Sequence, residues 1–473
     1  MTELSERTLP SIADRVPVPG YRRAEIRTGI VHFGVGNFHR AHQAWYLDRL
    51  LTAGGSPEWG VCGIGVLPGD RRMRDVLAAQ DGLYTLVEAG PDGERSPRVI
   101  GALVEYLYAP DDSVAVVEKL ADSGTRIVSL TITEGGYHVG AGASLSVFGL
   151  VTAALERRRA RGLPPFTIMS CDNIEDNGAV ARTAFVEFAR RSDPALAEWI
   201  SREGAFPSSM VDRITPATTD GMVADLERGF GVTDGWPVLT EPFAQWVLQD
   251  EFPLGRPDFD HVGVQLVDDV APYELMKLRL LNGGHQALAY LGQLCGYRYV
   301  HDAVADPLLS RFVARYMERE ALPTLPPVPG IDLAVYRRTL LERFGNPAIA
   351  DTIARLCADA SERIPKWVVP VARYQLAHGG EFDCAATMIA AWARYCEGVD
   401  ERGEPITVVD PRRDQLMAAA ARQSHDPAAF LADRSLFADL SDSPKFVAVY
   451  RKALDSLHTH GATTLRELLQ SDA

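Results

Sequence analysis

The chain has 473 residues, of which 46% are hydrophobic and 23% are charged, a composition typical of soluble globular proteins. This length exceeds what one hydrophobic core normally supports, so we expect two domains, or three. The formal net charge of −15, without a long run of lysine or arginine, excludes the basic surface that nucleic-acid binding requires, and it argues weakly against a strongly anionic substrate.

The N-terminal segment predicts neither a secretion signal nor a membrane anchor. Residues 1–20 lack an apolar core segment, and no run of about 18 uncharged apolar residues occurs in the sequence. The six cysteines form no CxxC pair and lack the spacing of a disulfide framework. We therefore expect reduced, mostly buried thiols, a cytoplasmic location and no membrane partner.

A dinucleotide-binding unit is predicted after a proline-containing arm, residues 1–27, which we expect to lie over the surface. An apolar run at 29–33 ends in a glycine turn, GVGNF at 34–38, and a helical pattern follows. This order is typical of folds in which turn amides and a helix N-terminus meet a pyrophosphate. Because His39 stands at the third glycine position, the GxGxxG fingerprint is incomplete, and such motifs also arise by chance.

Further apolar runs alternate with helical patterns and predict a doubly wound, mostly parallel sheet with helices on both faces. The expected strands are residues 59–67, 98–104, 126–132 and 166–170, and the expected helices include 112–121 and 144–160. Asp70 follows the first of these strands. It could bind the ribose hydroxyls, which would favour NAD over NADP, or it could cap the helix that begins near Arg71.

Polar side chains follow two of these strands, at the edge where ligands of α/β sheets bind. Glu134 belongs to one such cluster, TEGGY at 133–137, and Asn173 belongs to the other, CDNI at 171–174. A turn or cap explains Asn173 equally well. Asp212 and Arg213 lie between small and apolar residues, where they could form an internal ion pair or contact a substrate.

A helix predicted over 273–291 carries most of the candidate chemistry. At ~100° per residue, Glu274, Lys277, Asn282 and His285 share one side with leucines. Burying unpaired polar groups costs a few kcal/mol each, so either a function or an exposed helix edge would explain them. The Gly283–Gly284 pair indicates that another backbone or a ligand approaches closely.

Amphipathic helical patterns follow one another from about residue 300, without the alternation typical of strands. We therefore predict a dinucleotide-binding Rossmann-type domain over 1–271 and an all-helical substrate domain over 272–473. Because clefts between domains are preferred sites for small molecules, we expect the active site there.

Five segments together resemble the long-chain polyol dehydrogenases, the mannitol 2-dehydrogenase family. They are GVGNFHRAH at 34–42, TITEGGY at 131–137, SCDN at 170–173, MVDRITP at 210–216 and KLRLLNGGH at 277–285. The resemblance covers nearly the whole chain. It implies a Rossmann-type domain, a helical C-terminal domain, NAD as the cofactor, no metal, and a monomer.

The resemblance also implies roles for single residues. Lys277 would be the general base, while Asn173 and Asn282 would hold the reacting oxygen. His285 would orient the substrate, and Asp212 and Arg355 would contact the polyol. Glu274 would pass the proton to solvent, although an ordinary ion pair with Lys277 explains it equally well. The expected cofactor-binding residues are Gly34, Gly36, Asn37, Phe38, Asp70 and Glu134.

The chemistry of alcohol oxidation is consistent with these roles, since it requires a hydride acceptor, a base for the hydroxyl proton and donors for the developing oxyanion. Lys277 could act as the base only if burial lowers its pKa towards the working pH. A zinc mechanism would need three or four convergent ligands. His39 and His42 have no such partners in the sequence, and we interpret them as residues of the turn or of the cofactor's surroundings.

We therefore predict reversible NAD-dependent oxidation of D-mannitol to D-fructose, with activity on related polyols such as D-arabinitol or D-sorbitol. A hexuronate reductase of the same family, acting on fructuronate or tagaturonate, is the nearest alternative, and it should present an additional Arg or Lys for the substrate carboxylate. A phosphopolyol dehydrogenase would need a still stronger cationic site. A non-catalytic NAD-binding sensor is the alternative from a different class, but it has no use for a base.

Overall fold

A five-stranded parallel sheet organises the first of two units into which the chain divides, Met1–Ala271 and Pro272–Ala473. The computed structural model describes residues 1–137 and 145–470. The strands are β1 (Thr2–Glu3), β2 (Thr28–Phe33), β3 (Gly60–Gly65), β4 (Tyr84–Ala89), β5 (Arg95–Ile100), β6 (Leu103–Tyr108), β7 (Ile127–Leu130), β8 (Thr167–Ser170), β9 (Ser209–Asp212), β10 (Val232–Thr233), β11 (Val238–Thr240), β12 (Gln245–Gln249) and β13 (Gln265–Val267).

The main sheet has the strand order β6-β3-β2-β7-β8, and all of its strands are parallel. The chain builds one half of the sheet from β2 through β3 to β6, and then crosses back to place β7 on the other side of β2. Ligands of open α/β sheets bind outside the carboxyl ends of the strands at such a reversal. The end of β2 at Phe33 and the end of β7 at Leu130 therefore mark the expected ligand position in this unit.

Helices cover both faces of the main sheet, which confirms the doubly wound prediction. Val31 and Phe33 face a core that includes side chains of α5 to α8, whereas Ile30 faces a second core with side chains of α3 and α4. This alternation follows from the two-residue period of a strand. The helices of the unit are α1 (Leu9–Ile12), α2 (Asn37–Ala41), α3 (Gln43–Thr52), α4 (Asp70–Ala79), α5 (Ser113–Ala121), α6 (Val147–Ala160), α7 (Asn177–Arg190), α8 (Pro194–Glu203) and α9 (Asp220–Phe230).

Two three-stranded sheets, which the sequence patterns did not predict, add to this unit. Their strand orders are β11-β4-β5 and β13-β12-β9, and each contains one antiparallel pair. The single strand predicted over 98–104 is wrong, because β5 ends at Ile100 in a small sheet and β6 begins at Leu103 in the main sheet. Between them the Gly101 amide donates to the buried Asp48 carboxylate at 2.9 Å, which fixes the change of direction.

The N-terminal arm is tied into the first unit rather than only laid over it. β1 pairs with β10, and Ile12 and Val16 are buried. Arg23 is buried as well, and its guanidinium donates to the carbonyl oxygens of Gly101 and Leu103 at 3.0 and 2.9 Å.

The second unit is helical, as predicted: its described residues contain no strand beyond the isolated bridges Tyr299–Thr352 and Val399–Pro405. Two π-helices occur in it, Lys277–Asn282 and Tyr316–Ala321. The α-helices are α10 (Ala271–Met276), α11 (Gly283–Leu294), α12 (Val300–Ala305), α13 (Pro307–Arg315), α14 (Leu333–Phe344), α15 (Ile353–Cys357), α16 (Ala360–Trp367), α17 (Val369–His378), α18 (Asp383–Tyr395), α19 (Arg413–Ala421), α20 (Arg434–Phe437), α21 (Pro444–His460) and α22 (Leu465–Gln470).

None of the described helices combines the length and the apolar character needed to span a bilayer. All six cysteines lie in the described part of the chain as free thiols, and all except Cys295 are buried.

Candidate active site

The glycine turn after β2 requires its first glycine for steric reasons. Gly34 has a φ of 90°, and a Cβ there would collide with the carbonyl oxygen of Thr131, the first residue after β7. The Thr131 hydroxyl also donates to the Gly34 carbonyl oxygen at 2.7 Å. The carboxyl ends of β2 and β7 are thus in direct contact at the reversal of the sheet.

Gly36 is exposed, and a Cβ built there would meet only the Gly34 carbonyl oxygen, at 3.8 Å. The backbone at Gly36 is therefore open to a close ligand, which is the role of a glycine in a pyrophosphate-binding turn. A dinucleotide fits this turn.

Asn37 and Phe38 hold the turn in place. The Asn37 amide donates to Pro216 O and Thr218 Oγ1, each at 2.9 Å, and its Oδ1 accepts from Arg40 at 2.8 Å. Phe38 stacks on His42 with ring centroids 5.0 Å apart. Asn37 is thus engaged by the protein itself, so any contribution of its side chain to cofactor binding would come from shaping the turn.

Two buried histidines lie directly beneath the turn. His32 of β2 stacks on His39 with ring centroids 3.5 Å apart, and its Nδ1 lies 2.7 Å from Ser129 Oγ. Burial lowers the pKa of His32 to about 3 and the pKa of His39 well below its usual value, so both rings are neutral. His32 was not predicted as part of the site, because the sequence shows only a lone histidine within an apolar run.

In the described part of the chain, no three His, Cys, Asp or Glu side chains are grouped so that they could hold a metal ion.

Asp70 is the first residue of α4, and its Oδ2 accepts from the backbone N–H groups of Val66 and Leu67, both at 2.8 Å. The carboxylate therefore organises the loop that leaves β3. This local role is compatible with a contact to ribose, which stays a prediction.

The polar clusters after β7 and β8 do meet. Asp172 is buried and accepts from Thr133 N at 2.7 Å and from the Tyr137 hydroxyl at 2.8 Å, which joins the two strand ends. Burial raises the pKa of Asp172 despite these hydrogen bonds. The neighbouring Asn173 side chain is exposed at the same edge of the sheet, and the side chain of Glu134 lies outside the described residues.

Arg213 forms the internal ion pair that its sequence context suggested, but with a distant partner. Its fully buried guanidinium pairs with Glu88 and donates to the Ala41 carbonyl oxygen at 2.7 Å. Asp212, the last residue of β9, is also buried. Its proposed contact with substrate stays a prediction.

The helix predicted over 273–291 is not one regular α-helix. It consists of α10, the π-helix Lys277–Asn282 and α11, so the spacing of about 100° per residue fails between Lys277 and Asn282. Single π-turns inside α-helices occur frequently at functional sites. The four candidate side chains on this segment are all buried: Glu274, Lys277, Asn282 and His285.

Asn282 has an additional feature, because its buried Nδ2 donates to no hydrogen-bond acceptor in the described part of the chain. A buried donor without an acceptor destabilises a protein by about 1–3 kcal/mol. Such an atom therefore suggests a ligand that supplies the missing acceptor.

Gly283 and Gly284 allow the second π-helix to pack closely on this segment. A Cβ on Gly283 would lie 2.5 Å from Tyr316 Oη and 2.9 Å from Tyr316 Cε1, and a Cβ on Gly284 would collide with the Met317 methyl group. The close approach predicted at these glycines is thus made by side chains of the same unit.

We expect Gly283→Ala to reduce the free energy of unfolding by about 1–2 kcal/mol, since overpacking against the buried Tyr316 ring outweighs the better helix propensity of alanine. Thermal denaturation would measure this loss. Gly229→Ala in α9 is the matched control, because a Cβ there meets nothing within 4 Å. An equal effect of both substitutions would contradict the packing argument.

His285 and Arg355 each have a defined neighbour. The His285 ring stacks on Phe344 with centroids 4.2 Å apart. Arg355 lies on α15, and its guanidinium is bound by the carboxylate of Asp351. Asp351 was not predicted as part of the site, although its spacing of four residues from Arg355 is visible in the sequence.

Family models match both units of the chain. The mannitol dehydrogenase Rossmann domain matches residues 28–261, and the mannitol dehydrogenase C-terminal domain matches residues 269–458. The chain belongs to the mannitol dehydrogenase family.

Three relatives of this mannitol dehydrogenase family member each align with at least 97% of the chain. Mannitol 2-dehydrogenase from Aspergillus fumigatus is 44% identical over 489 aligned residues, which cover 97% of each chain. The structure of Pseudomonas fluorescens mannitol 2-dehydrogenase in a ternary complex with NAD and D-mannitol is 45% identical, with a TM-score of 0.91 over 99% of this chain and 100% of that one. A substrate-free D-sorbitol dehydrogenase structure is 35% identical, with a TM-score of 0.90 over 98% and 99% of the two chains.

Proposed function

We propose that this protein catalyses the reversible NAD-dependent oxidation of D-mannitol to D-fructose and also acts on related polyols such as D-arabinitol or D-sorbitol. The observation that carries the proposal concerns Asn282. Its buried amide N–H group donates to no acceptor among the described residues, and the residue lies on the same π-helix as the buried Lys277. The relatives support it further, because one is named for mannitol and was solved with NAD and D-mannitol.

The first unit would hold NAD. The pyrophosphate would lie against the backbone of Gly34, Gly36 and the following Asn37–Phe38, where Gly36 leaves open space. Asp70 would bind the adenosine ribose, and Glu134, which follows β7 in the sequence, would also contact the cofactor. NAD bound there would supply the hydride acceptor that oxidation of the alcohol carbon requires.

Lys277 would take the hydroxyl proton of the polyol. Lys277 is buried, with only 8% of the residue exposed, and its amine can accept a proton only in the neutral form. Asn173 and Asn282 would donate to the reacting oxygen and stabilise its developing charge. The same donors polarise the carbonyl of the ketose, which suits a reversible reaction.

The remaining candidates would position the polyol chain. His285, held by its stack on Phe344, would orient the hydroxyl groups, and Asp212 and Arg355 would contact them further along. Glu274, three residues before Lys277, would relay the proton to solvent. An ordinary ion pair with Lys277 remains the alternative for Glu274.

Absorbance at 340 nm tests the activity. We expect NADH formation from D-mannitol and NAD at alkaline pH, slower formation of NADPH when NADP replaces NAD, and activity that survives dialysis against EDTA. D-arabinitol, D-sorbitol and the hexuronates complete the substrate panel. A folded protein that binds NADH but turns over no polyol would reject the dehydrogenase and favour the sensor alternative.

Asp70→Asn is expected to weaken the preference for NAD by about tenfold. Asparagine keeps an oxygen for the amides of Val66 and Leu67, but it removes the charge that would repel the 2′-phosphate of NADP. The ratio of kcat/KM for the two cofactors measures the effect. Asp75→Asn on the same helix is the control, since the Asp75 side chain is exposed and pairs with Arg74. An unchanged ratio in Asp70→Asn would show that Asp70 organises the loop after β3 and does not select the cofactor.

We further propose that the enzyme works as a monomer, as the family resemblance suggests, and that it is located in the cytoplasm. Size-exclusion chromatography with light scattering should then give the chain mass of 51.7 kDa. A stable dimer mass would refute the first part, and recovery of the native protein outside the cytoplasm would refute the second.

A further inference from the structure

Arg355 does not present an unpaired cation, because a carboxylate of its own unit engages it. Its side chain is 53% exposed, yet Nε donates to Asp351 Oδ1 at 2.5 Å and Nη2 donates to Asp351 Oδ2. Two of the five guanidinium N–H groups are thereby occupied in a fork. The N–H groups of Nη1 take no part in this pair and remain available to neutral oxygens.

Asp351 is held firmly in this position. Its side chain is only 11% exposed, and its Oδ1 also accepts from the Thr352 backbone N–H at 2.9 Å. Its carbonyl oxygen accepts from Val300 N at 2.9 Å. Burial raises the pKa of Asp351, but hydrogen bonds and charge from Arg355, together with His285, outweigh burial and bring the pKa below its usual value. Asp351 is therefore ionised at neutral pH.

The Arg355–Asp351 pair and His285 belong to neighbouring parts of the second unit. α15 packs on α11, where the Gln286 amide donates to Leu356 O at 3.2 Å and Gly292 admits the Ile353 side chain. His285 precedes Gln286 on α11, and it is close enough to Asp351 to influence that carboxylate electrostatically. Asp351 thus binds Arg355 directly, and the helix that carries Arg355 packs on the helix that carries His285.

We propose that Asp351 is a specificity-determining residue: by neutralising Arg355 it suits the site to polyols and ketoses that end in a hydroxyl, and it rejects those that end in a carboxylate. This inference rests on the proposed function, since it takes His285 and Arg355 as substrate contacts. A substrate carboxylate binds arginine best through two parallel N–H groups, and Asp351 already uses one such pair, Nε with Nη2, which leaves only the edge formed by Nη1 and Nη2. A second carboxylate there would also face the negative charge of Asp351.

Asp351→Asn tests the proposal, because asparagine keeps an oxygen for the Thr352 N–H and removes the negative charge. The assay compares NADH-dependent reduction of D-fructose with that of D-fructuronate, a ketose of the same length with a terminal carboxylate. We expect the ratio of kcat/KM, fructuronate over fructose, to rise by about tenfold or more, as a charge-assisted bidentate contact would give. Inhibition by D-mannonate should strengthen in parallel, which reports binding without turnover.

Asp439→Asn is the matched control. Asp439 accepts from Arg373 Nε at 2.6 Å and from Arg373 Nη2 at 3.4 Å, and Arg373 is 51% exposed, close to the value for Arg355. This variant should leave the ratio unchanged. If Asp351→Asn does not fold, Asp351→Ser removes the same charge and keeps a hydroxyl acceptor.

The outcomes separate the two proposals. An active variant at Asp351 whose fructuronate-to-fructose ratio and D-mannonate inhibition equal those of the wild type would overturn the specificity inference alone. A wild-type protein that turns over neither D-mannitol nor D-fructose would overturn the proposed function itself.

Discussion

Lys277→Ala should lower kcat for D-mannitol oxidation by about 10²–10⁴-fold, the range that a positioned general base contributes. Lys277 is buried at the first position of the π-helix, so water does not readily replace its amine. The predicted cofactor residues belong to the other unit, so we expect NADH binding, followed by fluorescence, to stay within about twofold of the wild type. The substitution would thus separate chemistry from cofactor binding.

The pH profile makes this test specific. Wild-type kcat should rise with pH and level off once the base is neutral, whereas residual activity of Lys277→Ala should keep rising with hydroxide concentration, since no side chain then takes the proton. Lys445→Ala on α21 is the control, because Lys445 is an exposed lysine of the same unit. A variant at Lys277 that kept wild-type kcat and its plateau would assign the base to another group.

Asn282→Ala is expected to lower kcat by about 10²–10³-fold, as the loss of one donor to a developing oxyanion does. The physical reason is specific to this residue. Its Nδ2 is buried without an acceptor among the described residues, so the amide contributes little to folding and is available to a reacting oxygen. We therefore expect the melting temperature to change little while activity falls.

Asn177→Ala provides the opposite case. Asn177 is also buried, but its amide donates to Asp172 O and Ser209 O at 2.9 and 2.7 Å, and its Oδ1 accepts from Ser209 N at 2.9 Å. Removing it should destabilise the protein by about 2 kcal/mol or more, because it leaves buried backbone groups without partners. If Asn282→Ala instead lost stability on that scale and kept its kcat, Asn282 would be a structural residue and the oxyanion proposal would fail.

The sequence by itself determined the fold class and the family. Apolar runs of strand length at 29–33 and 59–67 are local signals, and so is the glycine turn at 34–38 that follows the first of them. The helical second unit followed from a 3.6-residue period that repeats over many turns. These features depend on neighbouring residues alone, and short-range patterns record them directly.

Only the tertiary structure decided what the individual side chains contact. A π-helix occupies Lys277–Asn282, where the sequence pattern predicts a regular α-helix. The next residue, Gly283, packs against Tyr316. Arg213 pairs with Glu88, which is 125 residues away, rather than with its neighbour Asp212. Such partners are brought together by packing between distant elements, and no local period encodes them.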